Sequence, residues 1–158
     1  MEHLWAPWRN LYVKHPQEAK RDVFADIARS SDDEANYVLA RGKGCFALLN
    51  LYPYNTGHLM VVPYRATEAL EDLGDDELLE IMTMLKRMKA ALTAAFSPQG
   101  FNVGINLGAA AGAGIADHLH VHLVPRWRGD ANFMTTTAET RVHPSDLASV
   151  YATIKKHL

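Results

Sequence analysis

His118-Leu119-His120-Val121-His122-Leu123-Val124 decides how this chain is read. Polar and apolar residues alternate, and a β-strand sends successive side chains to opposite faces. As a strand, the stretch buries Leu119, Val121 and Leu123 and sets His118, His120 and His122 on the other side. Three imidazoles in a row can hold a metal, carry a nucleophile with helpers, or clamp an anion.

The neighbouring segments supply a sheet for this strand. Upstream, Phe101–Asn106 alternates in the same way, with Phe101, Val103 and Ile105 on one face. The glycine- and alanine-rich stretch 108–114 connects the two. Further back, 45–50 and 58–63 read as a hairpin about the turn-forming cluster Tyr52-Pro53-Tyr54-Asn55-Thr56-Gly57. A short run at 37–40 adds a fifth strand. Three helices are expected. The first covers 17–31. The second covers 75–96, capped by Asp75 or Asp76, with Leu78, Ile81, Met82, Leu85, Met88, Leu92 and Phe96 as its apolar stripe and Pro98 and Gly100 ending it. The third starts near Pro144, preceded by His143 or Ser145, with Leu147, Val150, Tyr151 and Ile154 facing inward. This is an α+β fold: an antiparallel sheet of about five strands packed against one long helix and a C-terminal helix. No repeat or linker divides the chain, so residues 1–158 read as one domain. An aromatic arm, 1–16, carries Trp5, Trp8 and Tyr12, and a C-terminal extension covers 126–158.

Composition narrows the function. A chain of 158 residues buries roughly 70% of its unfolded surface and needs no covalent staples. The net charge of −2 argues against nucleic-acid binding by phosphate neutralisation. One cysteine, Cys45, excludes an intrachain disulfide and a thiolate cage, and favours a reducing compartment. No apolar run suits a membrane span, and the start lacks the features of a signal peptide, so the cytoplasm is the expected location.

The three readings of the histidines are unequal. Same-face neighbours on a strand stand about 7 Å apart, so two can converge on an ion but the outer pair does so with difficulty. A catalytic or structural metal therefore ranks second, with His58 as a further ligand and Asp117 as the neighbouring carboxylate, on the opposite face. Small residues with accessible N–H groups beside imidazoles and asparagines suit a phosphate. A neutral imidazole is also a good nucleophile toward phosphorus near neutral pH, with its ordinary pKa near 6.5. In that reading the central histidine attacks and its neighbours bind the oxygens.

These residues resemble the His-φ-His-φ-His-φ-φ signature of the histidine triad (HIT) family, where φ is apolar. The likeness extends to Leu49-Asn50-Leu51-Tyr52-Pro53-Tyr54-Asn55-Thr56-Gly57-His58-Leu59 and to Asn106-Leu107-Gly108-Ala109-Ala110-Ala111-Gly112-Ala113-Gly114. The flanks Leu4-Trp5-Ala6-Pro7-Trp8-Arg9 and Pro125 to Met134 resemble the bacterial diadenosine polyphosphate phosphorylase branch. The resemblance implies that His120 attacks the α-phosphorus of a dinucleoside polyphosphate and forms a nucleotidyl-histidine, released to water or inorganic phosphate. His118 would hold His120 through its backbone carbonyl, and His122 and His58 would contact phosphate. Asn50 would bind the ribose, Leu51 and Phe46 would lie near the base, and Asn106 with the backbone of Gly112, Ala113 and Gly114 would meet the phosphates. It also implies a homodimer and no tightly bound cofactor, with Mg2+ at most accompanying the polyphosphate. Asp22-Val23-Phe24-Ala25 stands where many relatives carry a zinc-binding Cys-x-x-Cys, so no structural zinc is expected. Gly114 and Ile115 stand where relatives often carry Ser, Thr or Gln. Hydrolysis of a nucleoside phosphoramidate or an adenylate, and an AMP-binding regulatory module with little turnover, are the alternative functions.

Overall fold

The computed structural model describes residues 22–130 and 146–158. The aromatic arm, the first residues of the expected 17–31 helix, and His143, Pro144 and Ser145 lie outside them.

Five strands form one antiparallel sheet: β1 (Val38–Arg41), β2 (Cys45–Leu49), β3 (Leu59–Pro63), β4 (Gly100–Ile105) and β5 (Val121–Arg126), in the order β1-β2-β3-β5-β4. The expected hairpin is β2–β3, in register from Cys45 opposite Pro63 to Leu49 opposite Leu59. β5 is inserted between β3 and β4, pairing Met60 with His122 on one side and Gly104 with His122 on the other. A strand paired on both edges is rigid, and here it carries the histidine motif into the middle of the sheet.

The two faces are built differently. One carries Leu39, Cys45, Ala47, Leu49, Leu59, Val61, Leu119, Val121 and Leu123, all buried under α2 (Asp75–Phe96) and α3 (Leu147–Lys155). α2 lies on this face through Ile81, Met84, Leu85, Met88, Ala91 and Leu92. Met82, expected in that stripe, is instead 56% exposed, and Met84 takes the inward position. The N-cap also differs from expectation. It is Gly74, whose N–H donates to the Glu77 carboxylate at 2.9 Å, so Asp75 and Asp76 lie inside the first turn. α3 starts one turn later than expected, capped by Asp146, whose carboxylate accepts the Ser149 N–H. It docks on β1 through the Tyr151 hydroxyl, which donates to the Val38 carbonyl at 3.1 Å.

The opposite face is covered over β1–β3 by α1 (Val23–Arg29). Its Phe24 and Ile27 pack on Val38, Phe46, Leu48, Met60 and Val62. Over β5 and β4 the same face is polar, and the histidines stand there. β4 is an edge strand whose alternation is real but whose apolar face is incompletely covered: Val103 is 55% exposed.

Candidate active site

The site is assembled where β5, the β2–β3 connection and the N-terminus of α1 meet. His58, His118, His120 and His122 are all buried. His120 and His122 lie with ring centroids 4.9 Å apart. His118 and His120 precede the hydrogen-bonded part of β5, and the Leu119 N–H ties this lead-in to the Thr67 carbonyl at 2.7 Å.

Partner chemistry assigns the ring protons, because a carbonyl or carboxylate oxygen accepts and a backbone N–H donates. His120 Nδ1 lies 2.8 Å from the His118 carbonyl and must carry the proton, which leaves Nε2 with the lone pair. The Tyr54 N–H donates to His58 Nδ1 at 2.9 Å, so His58 donates from Nε2 to His122 Nδ1, also at 2.9 Å. His122 then holds its proton on Nε2. That atom is buried and has no hydrogen-bond partner among the described residues. A buried donor without a partner is costly, about 1–3 kcal/mol, and marks where an acceptor such as a phosphate oxygen would be bound.

Burial disfavours the charged form of His120 and His122. It pushes the His120 pKa below the usual histidine value; the bond to the His118 carbonyl opposes this, and positive charge at His118 adds to it. Burial, and then His120, pushes His122 down to about 4. At neutral pH the site therefore offers one imidazole lone pair beside one imidazole N–H donor.

The β2–β3 connection is drawn tight around His58. The Asn50 N–H donates to the His58 carbonyl at 3.0 Å, which closes the Asn50-to-His58 loop. Gly57 sits at φ +75°, where a Cβ would lie 2.9 Å from Leu92 Cδ2. Only glycine lets the chain pass this close to α2 and then turn His58 inward. Asn50 stands at the rim with Oδ1 accepting from the Tyr52 N–H at 2.8 Å and Nδ2 3.5 Å from His58 Nε2. Leu51 is 52% exposed and can meet a base. Phe46 has no exposed surface. It lies in the cluster under α1 and stacks on Tyr64 with centroids 5.3 Å apart.

Asn106 follows Ile105 on β4, and His120 precedes Val121, the residue Ile105 faces. Asn106 and His120 therefore stand side by side. The following loop is a 3-10 turn, Ala109–Ala111, with Gly108 and Gly112 at positive φ. Its N–H groups are partly engaged: Gly112 donates to Ala109 and Ala113 to Gly108, at 3.0 and 3.3 Å.

Two participants escaped the sequence reading. Tyr54 sets the His58 tautomer through its N–H and stacks its ring on His58 at 4.7 Å. Its only sequence signal was membership of a turn. Asp22 bonds His118 Nδ1 at 2.9 Å, so a carboxylate does lie at the triplet, and it is not Asp117. A separation of 96 residues hides it from any local pattern. Among the described residues no group of three His, Cys, Asp or Glu side chains converges as a metal site. Arg126 is tied to Asp130 and Asn102.

Known proteins resemble this chain in sequence and in fold. The HIT domain profile matches residues 32–129. The chain is 47% identical over 153 residues to the AP-4-A phosphorylase of Mycobacterium tuberculosis, covering 91% of this chain and 77% of that protein. It is 34% identical over 117 residues to the asymmetrical bis(5'-nucleosyl)-tetraphosphatase of Schizosaccharomyces pombe, covering 73% of this chain and 64% of that one. A Hit-like protein from Bartonella henselae superposes with a TM-score of 0.69 at 23% identity, over 86% of this chain and 95% of that one, a likeness of fold. With its motif leading into β5, its five-stranded sheet and these relatives, the chain belongs to the HIT domain family.

Proposed function

We propose that the protein is an enzyme that splits dinucleoside polyphosphates of the diadenosine tetraphosphate type through a nucleotidyl-histidine. The observation that carries this is the buried His120 with Nδ1–H bonded to the His118 carbonyl, its ring 4.9 Å from that of His122, whose Nε2–H has no partner among the described residues. His120 Nε2 attacks the α-phosphorus, and the bond to the polyphosphate leaving group breaks. His122 donates to an α-phosphate oxygen, where negative charge must be held in the transition state. Water or inorganic phosphate then attacks the nucleotidyl-histidine from the vacated side and restores neutral His120. The names of the two relatives support this substrate class.

The remaining roles follow position. Asn50 at the rim meets the ribose and Leu51 the base. Asn106, beside His120, and the Gly112, Ala113 and Gly114 backbone face the phosphates. Mg2+ enters only with the polyphosphate. A second copy of the chain pairs along β4. Val103 and Leu107 are exposed there, beside an apolar groove lined by Leu70, Leu78 and Met82, and pairing would remove both the strand edge and the apolar surface from water. No described helix is long and apolar enough to cross a membrane. The buried Cys45 thiol, pushed up to about 11, is inert and compatible with the cytoplasm.

Turnover of diadenosine tetraphosphate with and without inorganic phosphate tests the reading. ADP plus ATP identifies phosphorolysis and AMP plus ATP identifies hydrolysis. Absence of either, with AMP still bound, would leave a binding module.

A further inference from the structure

We infer that Asp22 is a positioning residue for the reaction, pairing with His118 as an imidazolium so that the His118 carbonyl keeps His120 aimed. The inference rests on the reading of His120 as nucleophile.

The His118 ring has no exposed surface. Nδ1 lies 2.9 and 3.0 Å from the two Asp22 carboxylate oxygens, and Nε2 lies 2.8 Å from the Pro63 carbonyl. Both partners only accept, so satisfying both bonds takes a proton on each nitrogen. A buried cation needs a counter-charge. Asp22 is that charge, with its side chain 31% exposed.

Asp22 is itself anchored. Its Oδ1 also accepts the Ala25 N–H at 3.0 Å and so caps α1. A continuous run of bonds therefore leads from the α1 backbone through Asp22 and the His118 ring to the β3 end at Pro63. His118 is held at both ring nitrogens, which fixes the carbonyl that accepts the His120 Nδ1–H at 2.8 Å. Phe24, two residues after Asp22, packs on both rings, with centroids 5.5 Å from His118 and 5.1 Å from His120. The short α1 thus supplies the counter-charge and the seat of the nucleophile, although no residue of α1 carries a step of the chemistry.

Asp22→Asn separates this role from capping, because Asn caps a helix as well as Asp does. The single-turnover rate constant for nucleotidyl-enzyme formation from diadenosine tetraphosphate does not depend on the fraction folded. In Asp22→Asn it should fall on the order of 10- to 100-fold, the cost of a small misplacement of a reacting group, with KM changed less than about twofold. Nitrogen-15 histidine NMR of the wild-type protein at neutral pH should show His118 protonated at both nitrogens, and in the variant at one. Asp22→Ser, which caps α1 but is too short to reach the ring, gives the kinetic answer if Asp22→Asn does not fold. A variant rate within about twofold of wild type, or a singly protonated wild-type His118, overturns the inference. His120→Ala is the separate control: if it turns over, the nucleophile reading fails; if it is dead while Asp22→Asn is unchanged, only the positioning role fails.

Discussion

The two faces of the sheet are both buried, yet they use burial for different ends. Under α2 and α3 the side chains are aliphatic, and one methyl group can stand in for another at modest cost. On the face of β5 beside α1, burial surrounds four imidazoles whose hydrogen bonds assign each nitrogen one role. Packing tolerates exchange because dispersion and water exclusion are non-directional. A proton network does not, since moving one proton reverses donor and acceptor along the whole run. The face that is replaceable supplies stability, and the face that is not supplies chemistry.

That division can be broken most severely at His120. His120→Ala should lower turnover of diadenosine tetraphosphate by at least about 10³-fold while the thermal midpoint moves little. Near-wild-type turnover measured by product analysis would remove the nucleophile from the site. Leu92→Ala, on the fully buried side of α2, should do the reverse. It should cost about 2–5 kcal/mol in denaturant unfolding and leave kcat of the folded protein within about twofold.

The pH response sharpens the comparison. The folded-state pKa of His122, about 4, lies below the unfolded value of about 6.5. The unfolded chain therefore takes up the proton first as pH falls. The contribution of His122 is full above pH ~6.5, declines down to pH ~4, and amounts to on the order of 3 kcal/mol. Denaturant midpoints measured across this window should fall more steeply for wild type than for His122→Gln. Equal slopes would contradict the neutral, buried assignment. His120 is active when neutral and its pKa is lowered, so the acid limb of kcat/KM should lie below the ordinary histidine range.

Gly57 belongs to both faces, with Leu92 behind it and His58 after it. Gly57→Ala meets both the positive φ and the 2.9 Å contact. It should destabilise by about 1–2 kcal/mol and also lower kcat, the one substitution here that couples the faces. The smallest effect on folding is expected at the exposed Val103. Val103→Lys should leave unfolding within about 0.5 kcal/mol at high dilution, yet light scattering should show a shift from dimer to monomer.

Much of this molecule is written locally. The α2 helix spans 75–96, as its apolar spacing states, because a helix of six turns buries a stripe whatever it packs against. The histidine alternation places Leu119, Val121 and Leu123 toward the helices for the same reason. The errors lie where local pattern is silent. Met82 carries the right spacing but falls at the edge of the covered stripe, toward β4, where the chain's own core ends. Gly74 caps α2 because the capping carboxylate comes from Glu77, three residues on, which a search for a polar cap residue misses.

The sequence by itself determined the strand alternation, the helix periods and which imidazoles could share a surface, since each depends on residues a few positions apart. Tertiary structure alone decided what those imidazoles are. Their proton positions come from a carbonyl at Pro63, an amide at Tyr54 and a carboxylate at Asp22, all far from the motif in sequence. The lowered basicity of His120 and His122 comes from their burial in the folded chain. Protonation follows the field and partners around a group, and those exist only once the chain has folded.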